Sequence, residues 1–166
     1  MYVYFAVDMY TYDLLHIAIF PHNDLRSAQA FLFVLRAKGY HPSVLVTDLR
    51  RNYGAAIGPV FPQARHHKCL FHALQHLSKM FEDIYGKQPE KVVCASPSTA
   101  PERLKKAIVH IFAAKTKRTA IKRLKRVMKL RAVCVGANPG ADAIFQFFST
   151  HWPKLSNTIE SRVIPK

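Results

Sequence analysis

The sequence predicts a mixed α/β fold whose second half is helical. Three observations carry that prediction. Two aromatic and β-branched runs open the chain, a short apolar run ends on Asp48, and beyond Gly86 the apolar residues recur at helical spacing. Residues 2–8 (YVYFAVD) and 13–20 (DLLHIAIF) read as two strands, and the MYTY connection between them suits a hairpin. Residues 24–38 read as a helix, with Leu25, Ala28, Phe31, Leu32 and Leu35 on one face and Gly39 at the stop position. Residues 43–47 read as a short apolar strand and 50–57 as a short helix. Residues 66–71 then read as a second short strand, followed by a helix from about 72 to 85. Hairpin, helix, strand, helix, strand implies one mixed sheet with an antiparallel start and a parallel continuation.

Past Gly86 the strand signal fades. Residues 101–131 hold twelve Lys and Arg against one acid, Glu102. Leu104, Ile108 and Ile111 form one apolar stripe there, and Ile121, Leu124 and Met128 form another. Both read as amphipathic helices with a heavily basic face. The VGANPG stretch at 135–140 is a break. A helix resumes at 141–151, Trp152-Pro153 is expected to end it, and Ser156-Asn157 to open a last turn carrying Glu160. The organisation expected is therefore an α/β part over 1–85, a helical basic part over 86–150, and the start of a C-terminal helix over 151–166.

Composition narrows the function. The chain has 166 residues, 49% of them apolar, which fits one folded domain and argues against disorder. Twenty-five Lys and Arg against ten Asp and Glu leave a net charge of +15, and such a balance calls for a polyanionic partner. Cys69, Cys94 and Cys134 have no framework spacing, so reduced thiols in a cytoplasmic compartment are expected. The apolar N-terminus lacks a basic leader region, and Asp8 and Asp13 interrupt it. No apolar run approaches the ~20 residues of a membrane span. The chain is therefore expected to be soluble and intracellular, with no membrane partner.

Several residues have the chemistry of a site. Asp48 ends a strand, where open α/β sheets line ligand crevices, so it is placed to hold a metal; it could equally cap the helix that follows. Glu160 is a second carboxylate in the C-terminal segment, and Asp8 ends the first strand next to the hairpin turn. A hard cation such as Mg²⁺ or Mn²⁺ takes oxygen ligands, and carboxylates converging from distant sequence are the usual protein contribution. His66, His67, Cys69, His72 and His76 form a cluster with enough ligands for zinc. Without a second Cys pair, packing of Cys69 with histidines near a phosphate is the simpler reading. In the basic segment, Lys117, Arg118, Lys122, Arg123, Lys125, Arg126 and Lys129 are candidates for contacts to a DNA backbone.

Taken together, VLVTD (44–48), the YGAAI and VFPQA continuation (53–64), HHKCLFHALQHL (66–77) and SNTIES (156–161) resemble the catalytic core of DDE transposases. The resemblance is to the bacterial insertion-sequence and Mutator-like groups and spans nearly the whole chain. It implies an RNase H-like mixed sheet with helices and an all-helical basic insertion. It also implies Mg²⁺-dependent hydrolysis and strand transfer on double-stranded DNA at transposon ends and target, by a homo-oligomer associated with the nucleoid in the bacterial cytoplasm. Asp48 and Glu160 would be the second and third metal-binding acids, with Cys69 and His72 nearby. An RNase H-like core opens with three strands, whereas two runs precede the first helix here. The resemblance thus implies that the first strand and first acid lie upstream of Met1, and that this copy is a fragment with weak or absent catalysis alone. Two alternatives stand beside it: a complete nuclease using Asp8, and a non-catalytic basic DNA-binding remnant.

Overall fold

The computed structural model describes residues 1–86 and 99–161, with the side chains of Glu160 and Ser161 outside the description. The described chain is mixed α/β and forms two compact units, Met1–His67 and Lys68–Ser161.

The first unit begins with strands β1 (Tyr2–Val7) and β2 (Leu14–Phe20), paired antiparallel from Tyr2↔Phe20 to Val7↔Leu14. The register steps between Ala6 and Val7, where β2 carries one extra residue, Leu15. Helix α1 (Leu25–Ala37) follows. Asp24 caps it by accepting from the Ser27 amide at 2.8 Å, and Gly39 leaves it at φ 88°, a conformation that suits glycine. Phe31, Leu32 and Leu35 face the hairpin. Tyr4 packs edge-on to Phe20 and tilted against Phe31, and His16 stacks on Phe31 at 5.1 Å. Ala56, Ile57 and Val60 of α2 (Asn52–Val60) close the same core.

Strands β3 (Val44–Thr47) and β4 (Arg65–Lys68) flank α2 and form a ladder of their own. The Arg65 amide donates to Ser43 O at 2.9 Å, which sets the two N-terminal ends side by side, as a parallel pair requires. The single mixed sheet expected from the element order is thus two ladders of two strands each among the described residues. Four-residue strands supply few ladder bonds, and β3 is only partly buried throughout, so little draws it into a wider sheet.

The second unit is helical. Helix α3 (Leu70–Tyr85) starts two residues earlier than expected, because Leu70 and Phe71 belong to its first turn rather than to a strand. A short apolar run cannot by itself distinguish strand from helix. Helix α4 (Ala100–Phe112) opens on a capping box of Thr99 and Glu102, and buries Leu104, Ile108 and Ile111 as expected. Helix α5 (Lys117–Lys129) buries Ala120 and Val127, with Ile121, Leu124 and Met128 only partly covered. The buried line is centred about one residue away from the expected stripe. Helix α6 (Arg131–Ala137) and a 3-10 turn (Pro139–Ala141) lead into α7 (Asp142–Ser161).

Helix α7 passes through Pro153 instead of ending there. Pro153 forfeits one backbone bond, a cost of about 3 kcal/mol in a helix interior. Its ring lies on the exposed side, while Ile144, Phe145, Phe148, Leu155 and Ile159 continue one buried line through it. Burying one such side chain gives roughly 1.5–3 kcal/mol, so the residues beyond the proline outweigh it. Among the described residues no helix is long and apolar enough to cross a membrane.

Candidate nucleic-acid interface and carboxylate positions

Helix α5 places its cations by periodicity. Arg118, Lys122, Lys125 and Lys129 follow one another at i, i+4, i+7 and i+11, with Arg126 beside them, and all five are exposed. The line lies opposite Ala120 and Val127, which face the interior. The other two candidates point elsewhere. Lys117 donates to Asn157 Oδ1 of α7 at 3.5 Å, and Arg123 donates to the carbonyl of His110 at the end of α4. Both flank the buried line, so they tie α5 to its neighbours. The seven residues expected to contact DNA therefore divide into five that face outward and two with structural bonds. Arg103, Lys105 and Lys106 of α4 and Lys115 of the following turn add further exposed cations in the same helical pair.

Asp48 sits directly after β3, at the strand end where it was expected. Its carboxylate accepts from the Arg50 amide at 2.9 Å and lies 3.7 Å from the Arg50 guanidinium. That is an Asx turn, not the helix cap considered from the sequence: α2 begins at Asn52, preceded by Arg51. The side chain is 34% exposed, so a face of the carboxylate remains open to solvent. Close by, burial and then the Asp48 charge push the Tyr53 phenol up to about 12. Tyr4, whose hydroxyl donates to Asn23 Oδ1 at 2.7 Å, is raised by burial first and by the Asp24 charge second. Tyr53 and Tyr4 stand 6.2 Å apart, edge to face. Sequence reading did not find these two tyrosines beside Asp48; they look like ordinary core aromatics until the fold brings them together.

Asp8 is a turn residue. Its carboxylate accepts from the Tyr10 and Thr11 amides at 2.8 and 3.0 Å, and its carbonyl accepts from the Tyr12 amide. Those amides, Thr11 first, stabilise the carboxylate and hold its pKa below the usual carboxylate range. Tyr12 completes the turn at φ 63°. Glu160 lies near the end of α7, in the other unit from Asp48, and its side chain is outside the described residues.

The His/Cys cluster is divided among separate partners. His66 Nε2 pairs with Thr47 Oγ1 at 2.8 Å. His67 is buried, and burial first, then the Arg65 charge, lower its basicity. Cys69 is a half-buried free thiol at the N-cap of α3, and Cys134 is a buried one; Cys94 lies outside the described residues. His72 is exposed and meets the edge of Phe71, while His76 stacks on Phe147 at 5.5 Å. Among the described residues no three His, Cys, Asp or Glu side chains gather as metal ligands. An ion such as Mg²⁺ or Mn²⁺ takes one or two carboxylates from protein, and of the expected pair only Asp48 has a described side chain, with no second carboxylate gathered beside it among the described residues. We therefore derive no step through a metal.

Sequence reading also missed Lys68. It is 6% exposed and donates to His151 Nδ1 at 2.7 Å, while its carbonyl accepts from the Thr158 hydroxyl at 2.8 Å. An ammonium has no lone pair, so Nδ1 must accept and the ring proton sits on Nε2. These bonds link the start of α3 to the second half of α7, across a sequence separation that gave no signal.

No family model matches the chain, and no curated protein matches it.

Proposed function

We propose that the chain binds the phosphate backbone of double-stranded DNA through the outward face of α5. The observation that carries this reading is the line Arg118, Lys122, Lys125 and Lys129, unaccompanied by acid on that face and turned away from the core. Phosphates are the natural counter-charge for such a line, since like charges at helical spacing repel one another. Aromatic residues are absent from the line, so stacking on splayed bases is not what it offers. It carries no groups in a base-reading pattern and so positions DNA without reading sequence.

A second, finer reading rests on the resemblance to DDE transposase cores. Asp48 supports it, as an open-faced carboxylate at the end of the first strand of a strand–helix–strand unit. On that reading Asp48 and Glu160 are the metal-holding acids, Cys69 and His72 lie near them, and α5 holds transposon-end or target duplex. Arg50 would keep the Asp48 carboxylate oriented, and the α5 cations would neutralise the DNA. On that reading Asp8, whose Oδ1 accepts from its turn amides, serves the hairpin instead of an ion.

Fluorescence anisotropy with a labelled duplex tests the first reading. Affinity should fall steeply with salt, since log K drops by about 0.9 per phosphate neutralised for each decade of salt. Replacing Arg118, Lys122, Lys125 and Lys129 by Ala should reduce that slope by roughly three to four and weaken binding at least 100-fold at low salt. An unchanged slope would remove α5 from the interface. The second reading is tested with Mn²⁺ and a nicked duplex, where Asp48→Asn should abolish cleavage and leave the anisotropy unchanged.

A further inference from the structure

The outward face of the β1–β2 hairpin has no polar residue. Three cross-strand pairs point away from α1: Val3↔Ile19, Phe5↔Ile17 and Val7↔Leu14. All six side chains are large and apolar, and each is 41–67% exposed. A sheet with one solvated face normally alternates apolar-in with polar-out along each strand. Here both sides are apolar, because Tyr4, Ala6, Ala18 and Phe20 pack inward from the same strands. The extra residue Leu15 matters to this. It is turned into the core, and the register step keeps Leu14 opposite Val7 on the outer face, so the third pair exists because of the bulge.

Six such side chains present roughly 600 Å² of apolar surface, at the upper end of what a monomer shows in one patch. Tyr10 and Tyr12, at the hairpin tip, are 69% and 71% exposed and extend the patch toward the ~800 Å² per partner of a standard interface. The charge distribution says what can meet it. The whole chain carries +15, yet residues 1–25 contain no Lys or Arg and include Asp8, Asp13 and Asp24. The one described cation bonded to the hairpin is Lys38, which reaches Leu15 O and His16 from the end of α1 on the inner side. Two copies of so basic a chain repel wherever their cations face one another, and this is the surface where they do not. The face is also self-complementary, an uncharged ladder of β-branched and aromatic pairs without an unpaired side-chain donor, which is what a two-fold contact requires.

We propose that the outward hairpin face docks on the same face of a second copy of this chain, sheet on sheet. The two ladders pack about 10 Å apart, with each α1 on the side of its own hairpin away from the partner. This goes beyond backbone binding by α5, because it does not require that DNA be bound.

Sedimentation equilibrium on the full chain without DNA tests it, from about 1 to 200 µM protein. The mass should rise with concentration from 18.9 kDa to twice that value and stop. Raising salt from about 0.1 to 0.5 M should strengthen the association, since it screens the repulsion between two cationic chains. DNA binding moves the other way with salt, so failure of either reading is separately visible. Phe5→Thr and Ile17→Thr keep strand-forming residues while removing apolar area, and each should weaken the dimer at least tenfold with an unchanged far-ultraviolet circular dichroism spectrum. Lys122→Ala, which removes one cation from α5, should leave the dimer intact or tighten it. A chain that stays at 18.9 kDa throughout overturns the proposal. So does a mass that climbs past the dimer without limit, and so does a dimer indifferent to Phe5→Thr and Ile17→Thr.

Discussion

The hairpin and the α4–α5 pair answer the same problem, what to do with a second face, in opposite ways. In α4 and α5 the buried line of Leu104, Ile108, Ile111, Ala120 and Val127 is matched by an outer face of Lys and Arg. In the hairpin the inner face of Tyr4, Ala6, Ala18 and Phe20 is matched by an outer face of Val, Phe, Leu and Ile. A two-faced element displays its ligand class on the side it does not bury. On the two proposals above, the helices display charge for a polyanion and the hairpin displays apolar area for another apolar surface. The local geometry differs to suit. A 3.6-residue period lets a stripe of four cations lie on one line, while a two-residue period gives each strand two complete faces.

Breaking each inner face measures how much stability it holds. The largest effect is expected for Leu104→Ala, a fully buried residue of α4, which should cost about 2–5 kcal/mol through lost contacts and the cavity left behind. Chemical denaturation monitored by circular dichroism reads it. Phe5→Thr on the hairpin's outer face should change the stability of the monomer by less than ~0.5 kcal/mol when measured at high dilution. A comparable loss at both positions would mean that Phe5 is covered within its own chain and that the contrast between the two regions is false.

Next in size is Tyr4→Phe. It keeps the ring against Phe20, Phe31 and Tyr53 and removes only the bond to Asn23, so about 1 kcal/mol should be lost. A loss several times larger would show that the hydroxyl anchors the hairpin to the turn before α1 more firmly than one bond implies.

The smallest effect concerns pH. His67 is held neutral by burial, so its folded proton affinity lies below the unfolded value of about 6.5. The unfolded chain therefore binds the extra proton as pH falls through that value. Stability from this group is complete above about 6.5 and declines as pH falls toward the depressed folded value. Urea midpoints on either side of that window should fall on acidification, and His67→Gln should flatten the dependence. A midpoint that rises on acidification would put His67 beside a carboxylate.

The fold was legible where a pattern was long and had one cause. The hairpin, α1 with its Gly39 exit, and the α4 stripe all stand where periodicity set them. It was illegible where two local rules competed. Pro153 signals a stop, but Leu155 and Ile159 continue a buried line on the opposite side, and only the fold shows that line being covered. Leu70 and Phe71 are apolar enough for a strand and were needed by a helix. Ile121, Leu124 and Met128 are the conspicuous hydrophobes of α5, yet the centre of its buried face passes through the smaller Ala120 and Val127. The candidate site was legible in part: the cationic line of α5 follows from residue type and spacing alone. That Arg123 and Lys117 turn inward and that Tyr53 and Tyr4 stand together depend on contacts across 13 to 49 residues, which a periodicity does not contain, while the Asx turn of Asp48 onto Arg50 competes locally with the helix cap that the sequence equally suggests.

The length of α5 has a consequence for geometry on the proposed partner. From Arg118 to Lys129 the rise is eleven residues, about 16 Å of rigid helix. Along a duplex that distance is close to five base pairs, half of one turn, so a single α5 meets one side of the double helix and cannot follow the backbone around it. Each copy is then a short ruler with a footprint of about five base pairs.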